Sequence, residues 1–375
     1  MDGVFRHIGL WMTAAVLALF ACPAAWAQLP ATTFPAPNWE TRTPAELGLD
    51  GAKLQQFIAN LQGKAPSKSS GVIIRNGYLV ASWGRQDWRY GWASASKPMI
   101  STLLFLAIDK GLLKDVNERL ADHGWQLSVK DQPMTFFHLA NQLGGYACAE
   151  PPGAAFNYND FALQLYWKAM EKVLGRSLNE AALDWLAPLQ FQDGDLFDVR
   201  RRVSTTPRDY ARIGWFWMNR GRWAGRQLLP CEYFDRYMKP QVPLDMPLSP
   251  STQPDDYLGV GSYGGNPKTM EYGPGKYGFN WWFNRPDRGA DRPFLPDAPA
   301  DTVMAIGRGG NFMVMMPSLH LLAAGRGDWG HPMPGPQREK LNANLKLLVQ
   351  AAGASATSAP ASAPAASVFA SAPAK

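Results

Sequence analysis

The sequence predicts an α+β fold, an antiparallel sheet flanked by helices with a mainly helical lobe beside it. Three observations lead there. Strand patterns fall at the two ends of the chain, a hairpin near residues 71–83 and several short strands after residue 277. The stretch from about residue 120 to 221 reads mainly as helix. A last helix follows the late strands, so early and late strands can share one sheet with the helical stretch inserted as a second lobe.

Each element has a local reason. Residues 28–39 are Pro-rich and extended. Residues 49–61 have helical spacing, with Leu54, Phe57, Ile58 and Leu61 on one face and Asp50 as N-cap. Residues 71–83 read as a hairpin, because Val72-Ile73-Ile74 runs into Asn76-Gly77, the strongest two-residue turn signal. A helix is expected from Ser94 to Lys110, with Gly111 just past its end. Pro98 falls within about one turn of its start, where a missing N–H costs least. Apolar runs at 161–174 and 210–218 carry the helical middle. From 240 to 300 Pro, Gly, Asp and aromatics dominate, which suits a lid, a binding loop or a packed excursion. Strands are expected at 277–284, 302–306, 312–316 and 320–324, and a closing helix at 336–351. No internal repeat is present.

Bulk properties narrow the function. The chain has 375 residues, 46% of them hydrophobic, enough for a large core. Residues 1–27 read as a cleaved export signal: Arg6-His7, an apolar run over 8–20, then Ala25-Trp26-Ala27. A lipoprotein box ending at Cys22 is the weaker alternative, since Phe20 is bulky for it. Residues 28–352 then form the folded domain, and 353–375, almost only Ala, Ser and Pro, a disordered tail. A periplasmic or secreted protein without an integral membrane span is expected. Net charge is +6 and scattered apart from Arg200-Arg201-Arg202, which argues against a nucleic-acid partner. Cys148 and Cys231 either pair or stay as two buried thiols. No CxxC, HExxH or Cys/His cluster suggests a metal, and no cofactor is expected.

Three local patterns could carry chemistry. Ser94-Ala95-Ser96-Lys97 is an S-x-x-K at a helix start, where residues three apart share a face. A partly desolvated lysine can take the serine proton, and the helix start offers N–H groups to developing negative charge. Alone, the pattern also fits a surface Ser and Lys. Pro152-Gly153-Ala154-Ala155-Phe156-Asn157-Tyr158-Asn159-Asp160 places Tyr158 on a loop before a helix, where tyrosines ordinarily pack or cap. Gly307-Arg308-Gly309-Gly310-Asn311 lies between two strands and fits a tight turn.

Together and in this order, the three resemble the motifs of the serine β-lactamase and penicillin-binding-protein superfamily, most closely its class C-like branch of β-lactamases, peptidases, esterases and oligoamide hydrolases. The resemblance runs from Thr43-Pro44-Ala45-Glu46-Leu47-Gly48-Leu49-Asp50 to the closing helix. It implies a β-lactamase/transpeptidase-like fold, with Ser94 as nucleophile, Lys97 as proton acceptor and Tyr158 as proton shuttle. It implies further that Arg308 and Gly310 belong to the substrate-binding turn, and that the Ser94 and Asn311 N–H groups form the oxyanion hole. Two positions depart from the family. Asp160 replaces an asparagine, so a carboxylate that only accepts stands where an amide donates. Arg308 and Gly309 replace a Lys- or His-led motif: the positive charge survives, the hydroxyl does not, and an arginine can still clamp a carboxylate.

The expected function is an exported serine hydrolase that cleaves an ester or amide, a peptide bond included, through an acyl-enzyme on Ser94, with a small molecule or peptide as its partner. A non-catalytic cell-wall-peptide binder on the same scaffold is the alternative. Specificity is expected from residues 240–300, with Tyr263, Trp281 and Trp282 as candidates. His138 and His320 are expected to be structural.

Overall fold

The computed structural model describes residues 32–250, 253–264, 267 and 270–353. The expected export signal lies outside them, as does the tail beyond residue 353. Among the described residues no helix is long and apolar enough to cross a membrane.

The strands in chain order are β1 (Ser70–Arg75), β2 (Tyr78–Trp83), β3 (Tyr90–Gly91), β4 (Ser204–Thr205), β5 (Arg222–Trp223), β6 (Arg226–Gln227), β7 (Tyr277–Gly278), β8 (Trp281–Phe283), β9 (Val303–Gly307), β10 (Asn311–Met316) and β11 (Leu321–Arg326). Seven form one sheet in the order β2-β1-β11-β10-β9-β8-β7, with antiparallel pairing between neighbours. The first strands of the chain therefore meet the last, Ser70 lying opposite Arg326. The helices are α1 (Gly51–Gln62), α2 (Lys97–Asp109), α3 (Phe136–Ala140), α4 (Asp160–Leu174), α5 (Leu178–Trp185), α6 (Pro207–Met218), α7 (Cys231–Tyr237) and α8 (Pro336–Ala351). α1 and α8 pack on each other, and Leu54, Phe57 and Leu61 join Leu341, Leu345 and Leu348 in one buried cluster. α6 lies against β1, β10 and β11, and α2, α4 and α5 pack into the helical lobe.

The local reasons hold in detail. Asp50 caps α1, its Oδ1 accepting from the N–H groups of Ala52 (2.8 Å) and Lys53 (3.2 Å). Asn76 and Gly77 both have positive φ (51° and 87°), as the tight turn between β1 and β2 demands. Residues 277–284 are not one strand. Phe279 and Asn280 adopt φ of 44° and 70° and fold the segment into the β7–β8 hairpin. Tertiary contacts hold this turn, since Asn280 Oδ1 accepts from Ser101 Oγ at 2.8 Å and the Phe279 N–H donates to Asn141 Oδ1 at 2.8 Å. Cys148 is a free, buried thiol, so the pairing with Cys231 is not made. Burial above all pushes its pKa up to about 11, which leaves it protonated and unreactive near neutral pH. His138 closes a capping box with Thr135 at the start of α3, and His320 ends a short helical turn before β11.

Candidate active site

The helix expected at Ser94 begins later. Residues Ala93–Ser96 form a 3-10 turn and the α-helix starts at Lys97. Ala93 has φ 49°, a conformation L-residues adopt reluctantly, and it turns the chain from β3 into the helix. Trp92, fully buried, anchors this bend through Nε1, which donates to Thr205 Oγ1 at 2.9 Å. Ser94 and Lys97 still share one side, and Lys97 Nζ donates to Ser94 Oγ at 2.6 Å.

α4 supplies the facing groups. Asn159 is its N-cap, accepting from the N–H groups of Phe161 (2.9 Å) and Ala162 (3.3 Å). That fixes Tyr158 just outside the helix and Asp160 as its first residue. Lys97 Nζ donates to Tyr158 Oη at 2.9 Å and lies 3.7 Å from Asp160 Oδ1. The lysine is 2% exposed and Asp160 18%. The three donors of the ammonium thus face three oxygens, those of Ser94, Tyr158 and Asp160.

The turn after β9 closes the site from the sheet side. Gly307 is pressed against the serine turn, where a Cβ would fall 2.3 Å from the Trp92 carbonyl oxygen and 2.9 Å from the Ala95 nitrogen. Any larger residue would drive β9 off the serine. Arg308, Gly309 and Gly310 line the same cleft as Ser94 and Tyr158. Asn311 does not line it. It pairs with Gly307 at the first rung of β9 and β10, and its amide donates inward to the carbonyls of Gly91 (3.2 Å) and Arg308 (2.8 Å). Asp160 meets Lys97 rather than the cleft lining.

The cleft has a volume of about 720 Å³. One part of its lining is aromatic. Tyr272 stacks on Trp282 at 5.3 Å between centroids, and Trp282 leans on Tyr158 at 6.1 Å. His331 meets the Tyr272 ring edge-on, with burial holding its pKa below the usual imidazole value. Of the aromatics expected to set specificity, only Trp282 lines the cleft. Its neighbour Trp281 points to the opposite face of β8, into the core, as alternation along a strand requires. Tyr263 instead donates from Oη to the Arg200 carbonyl. Tyr272, His331, Lys64, Lys68 and Arg326 carry no local signal that would place them here, whereas Gly307 belongs to the turn legible in the sequence.

Sheet order, inserted helical lobe and the serine turn between them define the fold of the serine β-lactamases and penicillin-binding proteins. Solved structures with this fold include a candidate β-lactamase from Bacteroides dorei DSM 17855 (TM-score 0.60, 13% identity, covering 81% of this chain and 99% of that one). They also include the β-lactamase/D-alanine carboxypeptidase of Yersinia pestis, solved with citrate (0.56, 16%, 80% and 99%). A third is EstCE1, a hydrolase with promiscuous acyltransferase activity (0.57, 13%, 79% and 99%). No family model matches the chain, and no curated protein matches it in sequence.

Proposed function

We propose that this protein is an exported serine hydrolase of the class C-like branch, cleaving an ester or amide through an acyl-enzyme on Ser94. The observation that carries the reading is the position of Lys97 Nζ, buried and within 2.6 Å of Ser94 Oγ and 2.9 Å of Tyr158 Oη. In this reading Ser94 Oγ attacks the carbonyl carbon and its proton passes to the Lys97–Tyr158 pair. Tyr158 Oη returns a proton to the leaving group. The Ser94 N–H and a backbone N–H of the 307–311 turn hold the oxyanion, a contact worth about 2.7–4 kcal/mol per donor in such sites. Water then repeats the sequence on the acyl-enzyme. Arg308 and Gly310 contribute to the substrate-binding turn. Two structural neighbours, a β-lactamase/D-alanine carboxypeptidase and a hydrolase with promiscuous acyltransferase activity, support the same chemistry.

Intact-mass measurement after treatment with a fluorophosphonate or a labelled penicillin tests it. One adduct is expected on the wild type and none on Ser94→Ala. An absent adduct, or an equal one on Ser94→Ala, removes the catalytic reading and leaves the non-catalytic peptide-binding alternative. Asp160 is the observation that favours that alternative, because it sets a carboxylate 3.7 Å from Nζ at the position where the family carries an amide. Asp160→Asn is accordingly expected to raise the second-order rate of Ser94 acylation by a labelled penicillin. An unchanged or lower rate would show that Asp160 serves only to hold Lys97 in place.

A further inference from the structure

Tyr158 is held by a residue that none of the three motifs contains. Gln142 lies just past the end of α3 and is 1% exposed. Its φ is 59°, a conformation that a non-glycine residue keeps only when its surroundings impose it. Both of its oxygens reach the chain beside Tyr158. The carbonyl accepts from the Asn157 N–H at 3.0 Å, and Oε1 accepts from the Asn159 N–H at 2.7 Å. A backbone N–H can only meet an acceptor, so the orientation of the side-chain amide is fixed. Its Nε2 is buried and has no partner among the described residues. Burying that nitrogen costs stability, and what offsets the cost is the contact made by the oxygen.

Asn141, the preceding residue, holds Tyr158 from another direction. Its Oδ1 accepts from the Phe279 N–H at 2.8 Å and so fixes the β7–β8 hairpin. Tyr277 and Trp282 of that hairpin face the Tyr158 ring, with centroids 6.2 Å and 6.1 Å away. One buried dipeptide thus holds the main chain on both sides of Tyr158 and the aromatic neighbours of its ring. Asn159 is anchored as well, since its Nδ2 donates to the Tyr146 carbonyl at 2.6 Å while its Oδ1 caps α4. Tyr158 Oη is thereby set 2.9 Å from Lys97 Nζ. Proton transfer depends steeply on such a distance, and a misplacement of about 1 Å can cost about a hundredfold in rate.

We propose that Gln142 is a positioning residue for Tyr158, acting through its side-chain oxygen on the Asn159 N–H. The proposal rests on the reading of Ser94 as nucleophile and Tyr158 as its proton partner. Removing the oxygen then slows acylation although Gln142 touches no reacting group, and the loss disappears once Tyr158 has no hydroxyl to position.

The test is the second-order rate of Ser94 labelling by a fluorophosphonate, with circular dichroism to check the fold. Gln142→Met keeps the length of the side chain without the acceptor and should lower the rate about tenfold or more. Gln142→Asn tolerates the positive φ but its oxygen falls short of Asn159, so it should lose as much and serves if the methionine variant does not fold. Gln142→Glu keeps an oxygen at the same reach, and burial favours its protonated form. At mildly acidic pH it should stay within about threefold of the wild type at that pH. In a Tyr158→Phe background, Gln142→Met should change the rate by less than about threefold. A rate within about threefold of the wild type in a folded Gln142→Met or Gln142→Asn would overturn the proposal. Losses that multiply in the double variant would show that Gln142 does not act through Tyr158, and overturn it equally. A Gln142→Glu as slow as Gln142→Met would overturn the assignment to the oxygen. A wild type that is never labelled would overturn the underlying reading of Ser94, and this one with it.

Discussion

Replacing Lys97 with methionine is expected to lower the rate of Ser94 acylation by about three orders of magnitude. The substitution keeps the length and apolar stem of the side chain and removes the nitrogen that touches Ser94 Oγ at 2.6 Å and Tyr158 Oη at 2.9 Å. The loss should be kinetic. Asp160, the one charge left behind, is 18% exposed and can be rehydrated, so the fold should survive. Stopped-flow labelling with a fluorophosphonate gives the rate, and circular dichroism checks the fold. A rate within about tenfold of the wild type would mean that Tyr158 alone serves as the base, and the proton route through Lys97 would have to be abandoned.

The largest effect on stability is expected at Arg212, far from the serine. This arginine is fully buried in α6. Its Nη1 donates to the carbonyls of Leu189 (2.6 Å) and Ala36 (3.1 Å), its Nη2 to that of Pro37 (2.7 Å), and its Nε to Asp209 Oδ1 (3.3 Å). Asp209 in turn accepts from the N–H groups of Gln192 (2.7 Å) and Asp193 (2.8 Å). One guanidinium thereby satisfies backbone from the N-terminal segment, from the turn after α5 and from α6 itself. Arg212→Met should cost about 3–5 kcal/mol, because it leaves a buried carboxylate and three carbonyls without their donor. Urea unfolding monitored by tryptophan fluorescence reads this directly. A loss below about 1 kcal/mol would show that water takes over these contacts.

The parts legible in the sequence were those with local causes. The β1–β2 hairpin followed from Asn76-Gly77 and the start of α1 from Asp50. The Ser94, Tyr158 and Arg308 segments were found because each carries its motif within a few residues, and the fold brings them together. What escaped was decided elsewhere in the chain. The split of 277–284 depends on Ser101 and Asn141, neither of which is near in sequence. The 3-10 turn at Ser94 depends on Thr205 holding Trp92. The charged lining of the cleft draws on α1's end, β11 and the β9–β10 turn, so no window of sequence contains it.

The closure of the sheet has a consequence for biosynthesis. β1 lies between β2 and β11, and β11 is the last strand of the chain. A ribosome delivers the β1–β2 hairpin early, and the apolar edge formed by Val72, Ile73 and Ile74 must then wait for nearly the whole domain before Leu322, Ala323 and Ala324 arrive to cover it. Such an edge is an open template for pairing with other chains. The nascent protein is therefore most prone to aggregation over a long interval, and an holdase that keeps the hairpin apart until residue 326 has emerged would improve its yield more than any stabilisation of the finished fold.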